Sequence, residues 1–451
     1  MKFGIFYEHQ IGRPWDDDTE RQLVQDALDQ VELADRLGIQ YVWEVEHHFL
    51  EEYSHSSAPE VFLAAASQRT KNIRLGHGIV LTAPKFNHPA RTAERIAMLD
   101  LVSNGRVEFG SGESSSVAEL GGFGIPFEDK RAMWREGLEV AVRCMTEVPF
   151  TGVEGQYVSM PPRNVVPKPV QKPHPPLWVA CSRRETILLA AELGIGALTF
   201  AFIDPEEART WVHEYEQTLA ERCVPVGRAV NAQVACVTPM MMHQDEDEAI
   251  RRGIEGANFF GYSLGHFYVF GTHRPGRTDV WEEFVEKRST VGYDPEAAAQ
   301  ALRDERLGAK LASGDTTGLR GAIGTPEQVR QYLRRYEEAG VDQVIFVLQA
   351  GRNRHEDIME SIELFGTEVL PEFAERDAGL CAAKAERLAP TVNAAMTRRP
   401  ESMGEIGDYE FSALIKKMAD DTGDKALQEF VERFAEDRAA GRRDPGLGIT
   451  G

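Results

Sequence analysis

The sequence predicts an α/β fold, a (β/α)8 TIM barrel with insertions and a C-terminal helical extension. Short β-branched and aromatic runs alternate with amphipathic helical segments along most of the chain, a pattern typical of βαβ units and a parallel sheet. About eight strand candidates occur, and most of them are followed by a helix. This count favours a closed barrel over an open doubly wound sheet.

The strand candidates are short apolar runs, at residues 2–7, 41–45, 73–81, 107–109, 177–180, 196–199, 233–238 and 342–348. The helix candidates carry apolar residues at spacings of three and four, at residues 18–37, 90–101, 131–146, 185–193 and 325–339. The barrel is predicted to span residues 1–373. Residues 374–451, which are charged and rich in alanine, are predicted to form the helical extension.

Residues 256–319 interrupt the alternation and begin with the aromatic-rich run GANFFGYSLGHFYVFG. A long loop inside a compact domain is usually a lid, a binding element or disordered. One interpretation is a mobile, apolar lid over the active site, formed by Phe259, Phe260, Tyr262, Phe267 and Tyr268, of which the first three contact the substrate. The other is a subsidiary packing cluster.

The composition argues against several classes of protein. An excess of 72 acidic over 50 basic residues, a net charge of −22, disfavours binding to nucleic acid or to an anionic membrane surface. The five cysteines are far apart and show no C-x-x-C spacing, so neither a disulfide framework nor a metal site is expected. With no signal-peptide pattern and no long apolar run, we expect a cytoplasmic protein without a membrane span.

The densest polar cluster at a strand end is Glu44–His48, which follows the strand run YVW directly. The C-terminal ends of barrel strands face the active site, and histidine titrates near neutrality. His47 is therefore a candidate catalytic residue, with Glu46 and His48 beside it. Histidines with a purely structural role remain the alternative.

Two glycine-containing runs could accommodate a ligand close to the backbone. The run IRLGHGIVL interrupts a core strand at His77 and Gly78, which indicates either a ligand platform or a bulge. The run FGSGESSS, with Gly112, could cradle a phosphate or a ring edge. Because its sixth position is Ser115, it is not a G-x-G-x-x-G nicotinamide motif.

The run WVACSRRET passes from a strand into the first turn of a helix. Helix N-termini offer unpaired N–H groups, and arginine offers a planar donor fork, so Ser182 and Arg183 are candidates for a phosphate site. The alternative is an ordinary serine N-cap with surface arginines.

Taken together, these segments resemble the bacterial-luciferase-like flavin monooxygenases over residues 1–373. The resemblance is carried by MKFGIF, YVWEVEHHF, GIVLTAPKFNHPARTAERIAMLDLVSNGRVEFGSG, IGTPEQVRQYLRRYEEAGVDQVIFVLQAG and SIELFGTEVLPEF. Their order and spacing match the family from end to end, which makes the combination far more specific than any one segment.

The resemblance implies a two-component monooxygenase that binds reduced FMN, supplied by a separate flavin reductase, at the C-terminal ends of the strands. Oxygen would add to the flavin, and the resulting peroxyflavin would oxygenate a hydrophobic organic substrate. A homo-oligomer, dimer or tetramer, is also implied. Two alternatives remain: a dehydrogenase or reductase on the same barrel that uses coenzyme F420, and a non-catalytic flavin-binding protein.

The resemblance also assigns roles to residues. It implies that His47 is a base near the flavin, that Glu46 lies on the cofactor side and that His48 lies on the substrate side. It further implies that His77–Gly78 forms a non-prolyl cis peptide bond beneath the flavin ring.

At the phosphate end, the resemblance implies contacts from Arg131 and Ser182. The sequence departs from bacterial luciferase itself by having Gly112–Glu113 in place of Cys-Arg, and Cys181 replaces a glutamate near the phosphate. Arg183 is therefore expected to supply the missing positive charge. Light emission is not implied.

Overall fold

The computed structural model describes residues 1–199, 203–290, 321–400 and 404–440. The strands of the barrel are β1 (Lys2–Tyr7), β2 (Tyr41–Glu44), β3 (Arg74–His77), β4 (Val107–Gly112), β5 (Leu177–Cys181), β6 (Gly196–Thr199), β7 (Val234–Met242) and β8 (Gln343–Val347). Each strand pairs in parallel with the next, and β8 pairs with both β7 and β1. The sheet is closed, which confirms the predicted (β/α)8 barrel.

Helices surround this barrel. Their bounds are Thr19–Leu37, Pro59–Arg69, Pro89–Val102, Val117–Gly122, Lys130–Thr146, Arg184–Leu193, Pro205–Arg222, Glu246–Gly265, Val280–Thr290, Pro326–Glu338, His355–Leu364 and Leu370–Arg398, with π-helical turns at His266–Phe270 and Phe365–Val369. The short strands are Val80–Leu81, which pairs with β4, Ala322–Gly324, which pairs with β7, and the antiparallel pair Val153–Glu154 and Ser159–Met160. Within the described ranges, no helix has both the length and the apolar character needed to cross a membrane.

The chain divides into two compact units, Met1–Met403 and Gly404–Gly451. The second unit contains the helices Leu414–Thr422 and Lys425–Ala439. The boundary predicted at residue 373 falls inside the helix Leu370–Arg398, which packs against the barrel helix Pro205–Arg222.

The first part of the predicted insertion is helical rather than a loop. The helix Glu246–Gly265 begins at Asp245, whose side chain accepts a hydrogen bond from the backbone N–H of Glu248. Acidic residues in the first turn favour this start, because they complement the helix dipole. Residues 291–319 of the insertion lie outside the described residues.

Two tryptophans fill the interior of the barrel. Trp43 on β2 and Trp178 on β5 are buried, and their ring centroids lie 5.4 Å apart. Glycines on neighbouring strands make room for them. A Cβ atom on Gly76 would lie 2.2 Å from Trp43 Cε3, and one on Gly196 would lie 2.3 Å from Trp178 Cε3. Because side chains fill the interior, we expect a ligand to bind at the C-terminal end of the barrel, which we call the barrel mouth.

We expect Gly76→Ala to destabilise the fold by about 1–3 kcal/mol, because the new methyl group overlaps the buried indole of Trp43. The midpoint of thermal unfolding measures this effect. Gly379→Ala is the matched control, since Gly379 lies within a helix and a Cβ atom there meets nothing within 4 Å. It should leave the midpoint unchanged or raise it. Equal midpoints for Gly76→Ala and the wild type would contradict this packing.

Candidate active site

His47 lies just beyond the C-terminal end of β2, between two carboxylates. Its Nδ1 is 2.9 Å from Oε1 of Glu119, and its Nε2 is 3.6 Å from Oε2 of Glu8. Glu8 directly follows β1, whereas Glu119 lies on the short helix Val117–Gly122. The barrel mouth thus brings an acidic group to each ring nitrogen of His47.

Further hydrogen bonds hold both carboxylates in place. Oε1 of Glu119 also accepts from the backbone N–H of His48 at 2.9 Å, and its Oε2 accepts from the Ser114 hydroxyl at 2.6 Å. Oε1 of Glu8 accepts from the Tyr53 hydroxyl at 3.0 Å. Because both acids are buried, these bonds fix the orientation of the imidazole as well.

The electrostatics of this triad favour a protonated His47. Burial alone would lower the pKa of His47, but the carboxylates of Glu8 and Glu119 outweigh it and raise this pKa to about 9. Burial raises the pKa of the Glu8 carboxyl to about 7, although His47 opposes the rise. The pKa of Glu119 lies below its ordinary value, because His47 and the hydrogen bonds to the carboxylate outweigh its burial. At neutral pH, His47 is therefore an imidazolium that can donate a proton.

Glu46 and His48 flank His47 as predicted, and both have local partners. Oε2 of Glu46 accepts from the backbone N–H of Leu81 at 2.7 Å, and its Oε1 accepts from the Asn87 amide at 2.8 Å. His48 Nε2 lies 3.2 Å from Oε1 of Glu46. Glu46 thus fastens the end of β2 to the segment after β3, and this is a structural role in addition to the predicted cofactor contact.

Aromatic side chains line one side of the barrel mouth. Tyr53 lies 5.7 Å from Phe260, 6.5 Å from Phe267 and 6.1 Å from Tyr268, measured between ring centroids. We call these four residues the aromatic wall. Burial raises the pKa of Tyr268, and the carboxylates of Glu119 and Glu8 raise it further. The Tyr268 hydroxyl is therefore close enough to interact electrostatically with the two acidic partners of His47.

The three aromatic residues predicted to contact substrate do not all reach this wall. Phe260 belongs to it, whereas Phe259 and Tyr262 pack on another face of the same helix. Phe259 lies 4.7 Å from the ring of Trp281, and Tyr262 lies 5.5 Å from that of Phe284. Residues three apart on a helix share a face, so Phe259 and Tyr262 face together away from Phe260. We therefore retain only Phe260 as a candidate substrate contact.

Two cations contact Glu113, just after β4, and a third shares Glu185 with one of them. Lys130 Nζ lies 2.7 Å from Oε1 of Glu113, and an Arg131 Nη atom lies 3.2 Å from the same oxygen. Arg131 and Arg183 both approach Glu185, at 3.5 Å and 3.8 Å. We call Lys130, Arg131 and Arg183 the cation cluster. Burial favours a higher pKa for Glu113, but Arg131 and Lys130 outweigh it, so this pKa lies below its ordinary value.

The chemistry of this donor set fits a phosphate group. Two guanidinium groups and an ammonium group are combined with the exposed Ser182 hydroxyl, which precedes the helix Arg184–Leu193. Glu113 is paired with Lys130 and Arg131 rather than turned away from them. A phosphate would have to share Lys130 and Arg131 with this carboxylate.

Cys181 does not join this cluster through its side chain. Its thiol is fully buried in the hydrophobic core between the barrel and the surrounding helices. Strand alternation explains this placement, because Val179, two residues earlier on β5, is part of the same core. Its predicted contact with a cofactor is therefore not retained for the side chain.

The predicted cis peptide bond at His77–Gly78 is wrong. Among the described residues, every cis peptide bond precedes a proline. The Gly78 N–H donates to the carbonyl of Glu44 at 2.7 Å, so a trans peptide continues the pairing of β3 with β2. A contact between the Gly78 backbone and a cofactor stays a prediction.

The His77 ring and Gly112 both take part in local packing. The His77 ring lies on the helix side of the sheet, where burial lowers its pKa to about 4 and Glu60 exerts the largest opposing effect. A Cβ atom on Gly112 would lie 2.4 Å from Cδ1 of Ile79, so a larger residue where β4 meets the segment after β3 would have to displace the end of the Ile79 side chain. Gly112 as a cofactor contact stays a prediction.

Glu52 ties together three segments at the rim of the barrel mouth. It is fully buried and accepts hydrogen bonds from the backbone N–H groups of Arg13 at 2.9 Å, Val280 at 2.6 Å and Trp281 at 3.0 Å. Arg13 lies in the segment after β1, Glu52 in the segment after β2, and the other two at the start of the helix Val280–Thr290. One carboxylate thus holds the rim on this side.

Sequence reasoning missed Glu8, Glu119 and Lys130. A local signal existed for Glu8, which follows β1 just as Glu46 follows β2. Lys130 stands next to the predicted Arg131 and has the lower exposure of the two, which sequence spacing does not reveal. No local signal marks Glu119. Within the described ranges, no group of three or more His, Cys, Asp or Glu residues is arranged to hold a metal ion.

The family model of the luciferase-like monooxygenases matches residues 1–343. The chain belongs to this family. Its relatives include the oxygenase component of flavin-dependent trigonelline monooxygenase from Acinetobacter baylyi, 25% identical over 83% of this chain and 96% of that protein. They also include 5,10-methylenetetrahydromethanopterin reductase from Methanopyrus kandleri, 27% identical over 76% of this chain and 94% of that protein.

Among solved structures, the chain is similar to monooxygenase RslO1 from Streptomyces bottropensis, with 26% identity and a TM-score of 0.62. The alignment covers 83% of this chain and 100% of that one. By name, the relatives are monooxygenases and a reductase, which supports the prediction of an oxidoreductase. They leave the choice between FMN and coenzyme F420 open.

Proposed function

We propose that this chain is the oxygenase component of a two-component monooxygenase, which uses reduced FMN and O2 to oxygenate a hydrophobic organic substrate. The main support is the protonated His47, held between Glu8 and Glu119 at the barrel mouth beside the aromatic wall. A separate flavin reductase would supply the cofactor, as the relative named as an oxygenase component suggests. The proposal includes a homo-oligomer, as the family resemblance implies, and a reducing cytoplasmic location, which the widely spaced cysteines suggest.

The cation cluster and Ser182 would hold the phosphate of FMN. Once bound, the reduced flavin supplies the electrons and activates oxygen, chemistry that amino-acid side chains lack. The protein's task is to bind, to orient and to exclude water. The aromatic wall supports both an apolar substrate and a dry site.

His47 would supply a proton from Nε2 to an oxygen atom of the reacting group. Glu119 holds Nδ1 and leaves Nε2 as the reactive nitrogen. Glu8, whose pKa is raised by burial to about 7, is placed to share or replace the proton on Nε2.

An anaerobic titration of the purified full-length protein with reduced FMN, and separately with reduced F420, tests the choice of cofactor. We expect preferential binding of reduced FMN, followed by oxygen consumption and oxygenated product when O2 and an apolar substrate are admitted. Tight binding of F420 without oxygen uptake would contradict the proposal. No binding of either cofactor would contradict it too.

The second candidate is a reductase that transfers hydride from coenzyme F420. The methylenetetrahydromethanopterin reductase among the relatives supports it. Glu113 supports it too, because its negative charge lowers the net positive charge at the phosphate end. The third candidate, a non-catalytic flavin-binding protein, would show flavin binding without substrate turnover.

We expect Lys130→Met to weaken the binding of reduced FMN by a factor on the order of ten, because the phosphate loses a charge-assisted contact. The binding of reduced riboflavin, which lacks the phosphate, should change little. Arg135→Met is the matched control, since Arg135 is exposed on the same helix. Anaerobic calorimetry measures both ligands. Equal losses for FMN and riboflavin would show that Lys130 does not act on the phosphate.

A further inference from the structure

Two histidine rings meet beside the aromatic wall. Nε2 of His266 lies 3.3 Å from Nδ1 of His273, and His266 begins the π-helical turn that contains Phe267 and Tyr268. The ring of Phe267 lies 5.1 Å from that of His266, 4.8 Å from that of His273 and 6.5 Å from that of Tyr53. The two histidines, which we call the histidine pair, therefore pack directly against the wall at the barrel mouth.

A glycine lets the chain fold back onto His266 after the π-helical turn. The N–H of Gly271 donates to the carbonyl of His266 at 3.0 Å. A Cβ atom on Gly271 would lie 2.4 Å from that carbonyl oxygen and 2.6 Å from Nδ1 of His266, so a larger residue would have to shift the backbone. His273, two residues later, then reaches the ring of His266. The first histidine is buried and the second is partly exposed.

Each histidine also faces a carboxylate on another segment. Nδ1 of His266 lies 3.4 Å from Oε2 of Glu283, on the helix Val280–Thr290, and Nε2 of His273 lies 3.0 Å from Oε1 of Glu51, after β2. Within the described residues, neither ring nitrogen has an aligned hydrogen-bond partner. The two contacts therefore act mainly through charge, and each carboxylate favours the protonated form of its histidine.

Other charged and titratable groups reach these carboxylates from three elements. Nζ of Lys287, on the helix Val280–Thr290, donates to the Tyr262 hydroxyl at 2.6 Å, and this hydroxyl donates to Oε2 of Glu283 at 3.4 Å. An Nη atom of Arg13, in the segment after β1, lies 2.8 Å from Oε2 of Glu51. Both carboxylates are thus shared with a cation or a hydroxyl group and do not act on the histidines alone.

The contact between the two rings allows only one of the facing nitrogens to carry a hydrogen. A neutral or singly protonated pair meets this condition, because an N–H of one ring can donate to the bare nitrogen of the other. When both histidines are protonated, two N–H groups face each other across 3.3 Å and two positive charges repel. Double protonation is therefore incompatible with the contact.

Acid consequently favours separation of the rings. Burial lowers the pKa of His266 and outweighs the opposing effect of Glu283, and the charges of His273 and Lys287 lower this pKa further. Once separated and hydrated, His266 would titrate near the ordinary histidine value of about 6.5. Because its pKa is lower in the closed arrangement, the free energy that favours closure is fully present above about pH 6.5 and is lost as the pH falls below it.

We propose that the histidine pair is a pH-dependent latch on the aromatic wall, which holds Phe267 and Tyr268 at the barrel mouth at neutral pH and releases them when both histidines are protonated. Release opens the mouth to solvent. The latch itself requires no cofactor, whereas its effect on substrate rests on the proposed function. The two are therefore tested separately.

Hydrogen exchange of the full-length protein, measured by mass spectrometry at about pH 7.5 and about pH 5.5, reports on the latch. After correction for the intrinsic exchange rate at each pH, we expect protection of the Gly271 amide to fall by a factor on the order of ten in acid, because this amide donates to His266. Gly271→Ala, which cannot close, should be poorly protected at both pH values. Equal protection of the wild type at both pH values would overturn the proposal.

His273→Asn tests whether the pair is the titrating group. The asparagine amide oxygen takes the place of Nδ1 and can accept from His266 whether or not His266 is protonated. This variant should therefore keep its protection at about pH 5.5. The matched control His213→Asn, at an exposed histidine, should lose protection as the wild type does. Loss of protection in His273→Asn equal to that of the wild type would overturn the proposal, because another group would then be responsible.

Steady-state kinetics test the effect on substrate. KM for an apolar substrate should rise several-fold in the wild type between about pH 7.5 and about pH 5.5, and much less in His273→Asn. Glu8, with a pKa of about 7, titrates in the same range in both proteins, so the difference between them isolates the histidine pair. An equal rise in both would contradict control of the barrel mouth by the pair. A lack of turnover would contradict the proposed function, and the exchange measurement would still decide on the latch.

Discussion

Replacing His47 by alanine is expected to lower kcat/KM for substrate oxygenation by a factor of about 10²–10⁴, the usual contribution of a positioned acid or base. In the wild type, activity should fall as the pH rises through about 9, where the imidazolium between Glu8 and Glu119 loses its proton. His47→Ala should lack this dependence. Steady-state kinetics across pH 6–10, with flavin saturating, measure both effects.

The matched control is His213→Ala, since His213 is exposed on the helix Pro205–Arg222. It should leave kcat/KM and its pH profile unchanged. A wild-type rate that increases as the pH passes through about 9 would contradict the proton-donor role and indicate that His47 acts as a base. Unchanged activity in His47→Ala would remove it from the chemistry altogether.

Glu119→Gln should have the second-largest effect, a loss of about 10- to 100-fold in kcat, as is common when the partner that orients a catalytic group is altered. The amide oxygen can still accept from Nδ1 of His47, but the negative charge is gone. Because that charge stabilises the imidazolium, the pKa of His47 falls, and the alkaline loss of activity moves to lower pH. A pH profile of kcat distinguishes this effect from a general loss of structure.

Two further variants serve as comparisons for Glu119→Gln. Ser114→Ala removes one donor to Glu119 but leaves its charge, so it should cost less activity and shift the profile less. Glu128→Gln removes an exposed carboxylate on the barrel unit and should do neither. If Glu119→Gln lowers kcat without moving the profile, Glu119 supports the local fold and does not set the protonation of His47.

The barrel could be predicted because its signals are local. Each strand is a short run of β-branched or aromatic residues, and helices such as Thr19–Leu37 carry an apolar stripe that ends at a glycine, Gly38, with φ of 87°. The helix Glu246–Gly265 was hidden, since glycines and aromatics dominate its second half and resemble a loop. Its start at Asp245 was the overlooked signal.

The candidate site could be predicted only where it follows a strand. His47 and Glu46 stand directly after β2, and the barrel rule finds them. Glu119, 72 residues away from His47, reaches it from a short helix beyond a loop, a contact that tertiary packing alone creates. The ring of His77 shows the reverse case: its position at the end of β3 was predicted, but its side chain faces the helices because of strand alternation.

The buried carboxylate of Glu52 has a consequence for how such barrels diversify. Three separate stretches of chain depend on it, and exchanging one of them for a segment that lacks the carboxylate or places its backbone N–H groups elsewhere would leave an acid without donors or amides without an acceptor, each at a cost of about 1–3 kcal/mol. Recombination is therefore tolerated only when these stretches are inherited together. In protein engineering, the three rim segments that control access to the barrel should therefore be exchanged together, as one unit that includes Glu52.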